Sequence, residues 1–116
     1  METKRVLRVT ERAFAGQVED LCRLFQWRYY HSWNSMHSPP GFPDYLLLKG
    51  ARLLFVELKT DTGKLTIPQR DWLTALAAAG KDVFLWRPQD FEEVRDILAG
   101  HAEPETGWST RWSEEE

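Results

Sequence analysis

Apolar positions along the chain change period several times, and each change marks an element. Phe14, Val18, Leu21 and Phe25 recur at helical spacing, which predicts an amphipathic helix with those residues on its buried face. Thr10 is placed to cap it. Trp27 to Trp33 is rich in strand formers and predicts the first strand. Asn34 to Phe42, with Pro39-Pro40-Gly41, reads as a loop. From Pro43 to Lys59, two short, bulky apolar runs flank Gly50-Ala51, which predicts a hairpin with a tight type II′ turn. Thr60 to Thr66 is a polar connection containing Gly63. Pro68 suits the first turn of a second helix, with Trp72, Leu73, Leu76 and Ala77 on its apolar side and Gly80 at its end. Asp82 to Trp86 is a fourth strand, broken by Pro88. Asp90 followed by Glu93 is a capping-box-like start for a last helix carrying Phe91, Val94, Ile97 and Leu98, which Gly100 ends. The order α-β-β-β-α-β-α describes one α/β domain over residues 1–100. Setting the last strand beside the Glu57 strand through a crossover helix requires a parallel pair there, so the sheet is expected to be mixed.

The register of the hairpin decides where its charges fall. If Lys49 pairs with Arg52, Leu48 lies opposite Leu53, Leu46 opposite Phe55 and Asp44 opposite Glu57. The side-chain period of two then puts Asp44, Glu57 and Lys59 on one face at one end of an otherwise apolar hairpin. Like charges facing each other on a sheet are destabilising, and more so beside Leu and Phe. A divalent cation removes the conflict, because paired carboxylate oxygens are what Mg²⁺ takes from protein. A slip of one residue would instead send the two acids to opposite faces.

The residues around this pair carry a resemblance. Gly41-Phe42-Pro43-Asp44, Glu57-Leu58-Lys59-Thr60, Gly63-Lys64-Leu65, Gln69, Trp72 and Gly80 stand in the order of the virus-type replication-repair nuclease (VRR-NUC) family of the PD-(D/E)xK nucleases. The resemblance runs from about Thr10 to Leu98. It implies a restriction-endonuclease-like core, a mixed β-sheet flanked by helices. It also implies a Mg²⁺-dependent endonuclease, with Mn²⁺ as a substitute ion. Asp44 and Glu57 would hold the metal, joined by the backbone carbonyl of Leu58. Lys59 would orient the attacking water and steady negative charge. Gln69 would sit beside Lys59, pointing into the site. Glu11 matches an early-helix glutamate that reaches the active site, although a first-turn acid is also what the helix dipole favours. His31 matches a histidine that precedes the loop before the Pro-Asp motif. Ser35 and Lys64 are further candidates for contacts with DNA. Two departures from the family pattern are mild: Tyr45 follows Pro-Asp where an aliphatic residue is usual, and Ala15 stands where Gln is common.

Composition modifies this picture only in part. With 116 residues, 42% of them hydrophobic, and six Trp, the chain can build one real core. No apolar run approaches the roughly 20 residues a membrane span needs. A single cysteine, Cys22, forms no internal disulfide and suits a reducing, cytoplasmic compartment of a bacterial or phage-type protein. The net charge of −3 runs against nucleic-acid binding, but it is unevenly placed. Residues 101–116 form an acidic tail of five acids and one base, which leaves the first hundred residues at +1. A domain with so small a footprint and charge is expected to act as a homodimer. Two sites on a two-fold axis suit branched DNA such as a four-way (Holliday) junction. The alternatives are a structure-tolerant nickase, or a non-catalytic DNA-binding subunit with a nuclease-like fold.

Overall fold

A computed structural model describes residues 8–33 and 36–101. The expected position Ser35 and the tail, with Trp108 and Trp112, lie outside the described residues. The elements are α1 (Glu11–Leu24), β1 (Arg28–His31), β2 (Tyr45–Lys49), β3 (Arg52–Leu58), α2 (Ile67–Ala78), β4 (Asp82–Trp86) and α3 (Phe91–Ala99). They form a four-stranded sheet in the order β1-β2-β3-β4, antiparallel except for the parallel β3–β4 pair. This is the mixed sheet the crossover helix demands.

The hairpin has the expected register. Lys49 pairs with Arg52, Leu48 with Leu53, and Leu46 with Phe55. Gly50 has φ +59 while Ala51 keeps a negative φ, the combination a type II′ turn requires. Alternation along the strands divides the core in two. Tyr45, Leu47, Leu54, Val56, Leu58, Phe84 and Trp86 face one way and pack with Phe14, Val18, Leu21 and Cys22 of α1 and Val94, Ile97 and Leu98 of α3. Val83 and Leu85 face the other way and pack against Leu73 of α2, with Phe55 and Leu76 at the margin. The result is a three-layer α/β/α arrangement with β3 inside.

Helix α1 is capped as its sequence indicates, with Thr10 Oγ1 accepting from the Ala13 amide at 3.0 Å. Burial, then the nearby Glu19 charge, pushes the Cys22 thiol up to about 12, which leaves it an unreactive core group. Strand β1 is shorter than Trp27–Trp33. Trp27 turns into the core instead, donating its indole N–H to the Leu98 carbonyl at 2.8 Å. The start of α3 also differs from expectation. Pro88–Asp90 forms a 3-10 turn, and the Asp90 carboxylate accepts from the Arg87 amide at 2.9 Å rather than capping α3. Pro88 fixes φ and tightens the chain there, so the Asp90 carboxylate reaches back. Among the described residues, no helix is long and apolar enough to cross a membrane.

Candidate metal and phosphodiester site

The polar end of the sheet is where β1 and β3 finish and β2 begins. The ladder runs one step past β2, where the Ser32 amide donates to the Asp44 carbonyl at 2.8 Å. Asp44 is thereby held in line with the strands. Its carboxylate crosses to β3 and accepts from the Leu58 amide at 2.9 Å. Glu57 lies next to it, 2% exposed, and the two carboxyl groups are close enough to share a hydrogen bond. The slipped register, with the acids on opposite faces, does not occur.

Burial is the main force acting on Glu57. It pushes the carboxyl up to about 9, followed by the charge and hydrogen bond of Asp44. Glu11 adds a smaller push in the same direction, and Lys59 pulls the other way. Both act through space, since among the described residues neither Lys59 nor Glu11 forms an ion pair with the acids. Glu57 Oε1 is buried and has no hydrogen-bond partner among the described residues. A buried carboxylate oxygen without a donor is an unfavourable state unless a proton neutralises the group or a cation completes it. The donor set fits Mg²⁺, which commonly takes only one or two protein carboxylates and keeps its waters. Among the described residues no group of three or more His, Cys, Asp or Glu gathers as a larger metal cluster would require. Among the described residues the site gathers the pair Asp44 and Glu57, with Glu11 in the adjoining groove.

Two hollows flank the sheet end, one on each face. The first, about 680 Å³, lies under α1 and is lined by Glu11, Ala15, Gly16, Glu19, His31 and Asp44, among others. Glu11 thus reaches the groove that contains Asp44 while also sitting in the first turn of α1. His31 lines it too, stacked on Tyr45 with ring centroids 4.5 Å apart. The second hollow, about 740 Å³, lies on the α2 side. Asp44 and Trp33 line both.

Gln69 takes part in the cap of α2. Its Oε1 accepts from the Thr66 amide at 2.9 Å, while its own amide donates to Thr66 Oγ1 at 3.2 Å. This is a capping box, and it holds the carboxamide oxygen at the start of α2. Lys64 is exposed and forms no ion pair among the described residues.

Several contributors went unnoticed in the sequence. Glu19 accepts a short hydrogen bond from the Tyr45 hydroxyl and another from Tyr29 at 3.3 Å. Burial and that bond push the Tyr45 hydroxyl up. The spacing of Glu11, Ala15 and Glu19, four residues apart on α1, was the available signal. Arg87, 7% exposed, donates from Nη1 to the Thr60 and Gly63 carbonyls at 2.5 and 2.7 Å. It anchors the connection that follows Lys59. Gly41, at φ +96, lets its loop meet α2, because a Cβ there would stand 2.5 Å from the Pro68 carbonyl carbon.

A solved structure described as a VRR_NUC domain protein superposes on this chain with a TM-score of 0.63. The chain has the VRR_NUC fold. The match covers 79% of this chain and 87% of the other, at 21% sequence identity. No family model and no curated protein matches the sequence. On the VRR_NUC fold, the acid pair sits where two strands of the hairpin and the end of the sheet meet, with α1 supplying a third acid from above.

Proposed function

We propose that this chain is a Mg²⁺-dependent endodeoxyribonuclease that cuts DNA phosphodiesters at the Asp44–Glu57 end of the sheet. The observation that carries this reading is the buried Oε1 of Glu57, without a hydrogen-bond donor and beside a second carboxylate. The VRR_NUC fold supports it. Asp44, Glu57 and the Leu58 carbonyl would hold the ion, for which Mn²⁺ is a natural substitute. When bound, Mg²⁺ lowers the pKa of a water and draws charge from the phosphate oxygens.

The chain's own residues do the rest. The Leu58 amide fixes the carboxylate of Asp44, so one ligand is oriented before any ion arrives. Lys59, two residues after Glu57 on the same side of β3, holds an ammonium beside the phosphate and steadies the charge that grows there. Glu11 orients water from the α1 side of the groove. His31 sits where it can meet the DNA backbone, and Lys64 extends that contact on the connection after Lys59; Ser35 is a further candidate by sequence alone.

The finer reading is a homodimer acting on branched DNA. Leu48 and Leu53 form an exposed cross-strand pair at the hairpin end remote from the acids, which supports a second copy as their cover. The deciding assay offers purified protein a four-way junction, a flap and linear duplex, with Mg²⁺ or Mn²⁺. Cleavage abolished by Asp44→Ala is the expected result. No cleavage of any substrate would leave a non-catalytic subunit, and equal rates on all three would leave a structure-tolerant nickase.

A further inference from the structure

The two hollows beside Asp44 differ in chemistry. The α1-side hollow presents the carboxylates of Glu11, Glu19 and Asp44 together with the Arg12 guanidinium and the His31 ring. The α2-side hollow has Asp44 as its single charged lining residue, and Tyr30, Trp33, Phe42 and Trp72 as walls. Tyr30 is 64% and Trp33 80% exposed, although aromatic rings of this size are normally well buried. Trp33 is nevertheless held. Its ring rests on His31 at 4.6 Å, and His31 in turn stacks on Tyr45. Phe42 meets Trp72 edge-on at 5.1 Å, and Gly41 clamps that loop to Pro68. The walls are therefore set before anything enters.

From this geometry we propose that the α2-side hollow receives an unpaired DNA base next to the phosphate that is cut. The proposal rests on the nuclease reading and names the substrate class: DNA with an unstacked nucleotide flanking the scissile bond, rather than continuous duplex. With the phosphate at Asp44, the neighbouring base must lie within one nucleotide of it. The α1 side carries charged and polar groups, Arg12 and His31 among them, which suit the sugar-phosphate chain better than a base, whereas the α2 side offers uncharged aromatic faces. A base inside a duplex has both faces covered by its neighbours and cannot stack on Trp33. A base taken out of the stack can, and such stacking tolerates any sequence.

The test uses the intact chain and a single-stranded oligonucleotide carrying 2-aminopurine, with Ca²⁺ in place of Mg²⁺ to hold turnover off. Stacking quenches the probe. Trp33→Ala should abolish the quenching and weaken binding by about 5- to 150-fold, the range that aromatic–base stacking supplies. Trp33→Phe should recover most of it, and fully paired duplex should bind both variants like the parent. Both substitutions are at an exposed ring, and unchanged melting curves establish that they fold. Equal losses on single strand and duplex would overturn the proposal, as would quenching that survives Trp33→Ala. A hollow that serves a protein partner would give that last result. In the cleavage arm, Mg²⁺ is present and the flanking nucleotide is made abasic. Unchanged cleavage overturns the base pocket and leaves the nuclease standing. Absence of cleavage on every DNA, with Trp33-dependent quenching intact, overturns the nuclease and leaves the pocket as a site for an unpaired base.

Discussion

The carboxylate of Asp44 accepts a hydrogen bond from the backbone amide of Leu58 at 2.9 Å, tying the first residue before β2 to the last residue of β3. The bond fixes one acid next to another across the end of a hairpin, so Asp44 cannot rotate away when Glu57 loses its proton. Asp44→Asn keeps an oxygen to accept from Leu58 and removes the charge. Mg²⁺-dependent cleavage should be lost, while in EDTA above about pH 9, where Glu57 has also released its proton, the variant should melt no lower than the parent, because a like-charge contact is gone. Calorimetric titration with Mn²⁺ should show binding to the parent and none to the variant. Cleavage near the parent rate would remove Asp44 from the metal site.

Glu57 makes stability depend on pH in a stated direction. Its folded-state pKa is pushed up to about 9 from an ordinary 4.5. Between those values the folded chain keeps a proton that the unfolded chain has released. Stability of the metal-free protein should therefore be fullest below about pH 4.5 as far as this group is concerned, and fall as pH rises toward 9. The slope is at most about 1.4 kcal/mol per pH unit for one proton. Denaturant midpoints in EDTA check this, and Glu57→Gln should flatten the profile. Parallel profiles for parent and variant would show that Glu57 does not hold the proton. Mg²⁺ should oppose the decline, since it competes with that proton.

Lys59 has a different signature. It forms no ion pair among the described residues, yet its charge reaches Glu57. Lys59→Ala should lower turnover by about 10² or more if the ammonium stabilises charge in the transition state. Affinity for DNA should change far less, because one phosphate contact is a small share of such an interface. Binding and turnover falling together would make Lys59 a docking residue.

The loop behind Lys59 depends on Arg87. Replacing it with Leu leaves the Thr60 and Gly63 carbonyls without their buried donor, at about 1–3 kcal/mol for each group left unsatisfied. Thermal melting should register the loss. Turnover at a temperature where the variant is folded should also drop, since Thr60 follows Lys59 directly.

Much of the fold could be read from the chain because its signals were local. A glycine turn between two period-two runs sets one register, and that register brings Asp44 to Glu57. The strand β4 and the parallel pairing follow from a crossover helix of adequate length. What was hidden depends on contacts distant in sequence. Nothing in the neighbourhood of Trp27 indicates that its indole is bound to Leu98, so the first strand looked longer. Arg87 stands 24 residues beyond Gly63, and a buried arginine beside a proline reads as a surface residue until its carbonyl partners are known. The burial of Glu57 is likewise tertiary. Gln69 is a separate case, because its neighbours held two messages at once.

Those messages are a family-like glutamine and a helix start, Thr66-Ile67-Pro68-Gln69. The second prevails in the structure, with both capping-box bonds formed and Pro68 in the first turn. The two roles give opposite results for Gln69→Ala. A residue acting in the site would lower turnover strongly while leaving stability nearly unchanged. A capping-box partner should cost about 0.5–1.5 kcal/mol of stability, the net worth of one hydrogen bond. That corresponds to a fall in Tm of roughly 4–8 °C for each kcal/mol in a small domain. Turnover measured well below the melting range should stay within a few-fold of the parent. Gln69→Glu retains an acceptor for the Thr66 amide and places a negative charge in the first turn, where the helix dipole favours it. It should restore the melting temperature. If it did so and turnover still collapsed, the carboxamide would have a second task at the acid pair. If both Ala and Glu variants turn over normally, Gln69 serves the helix alone.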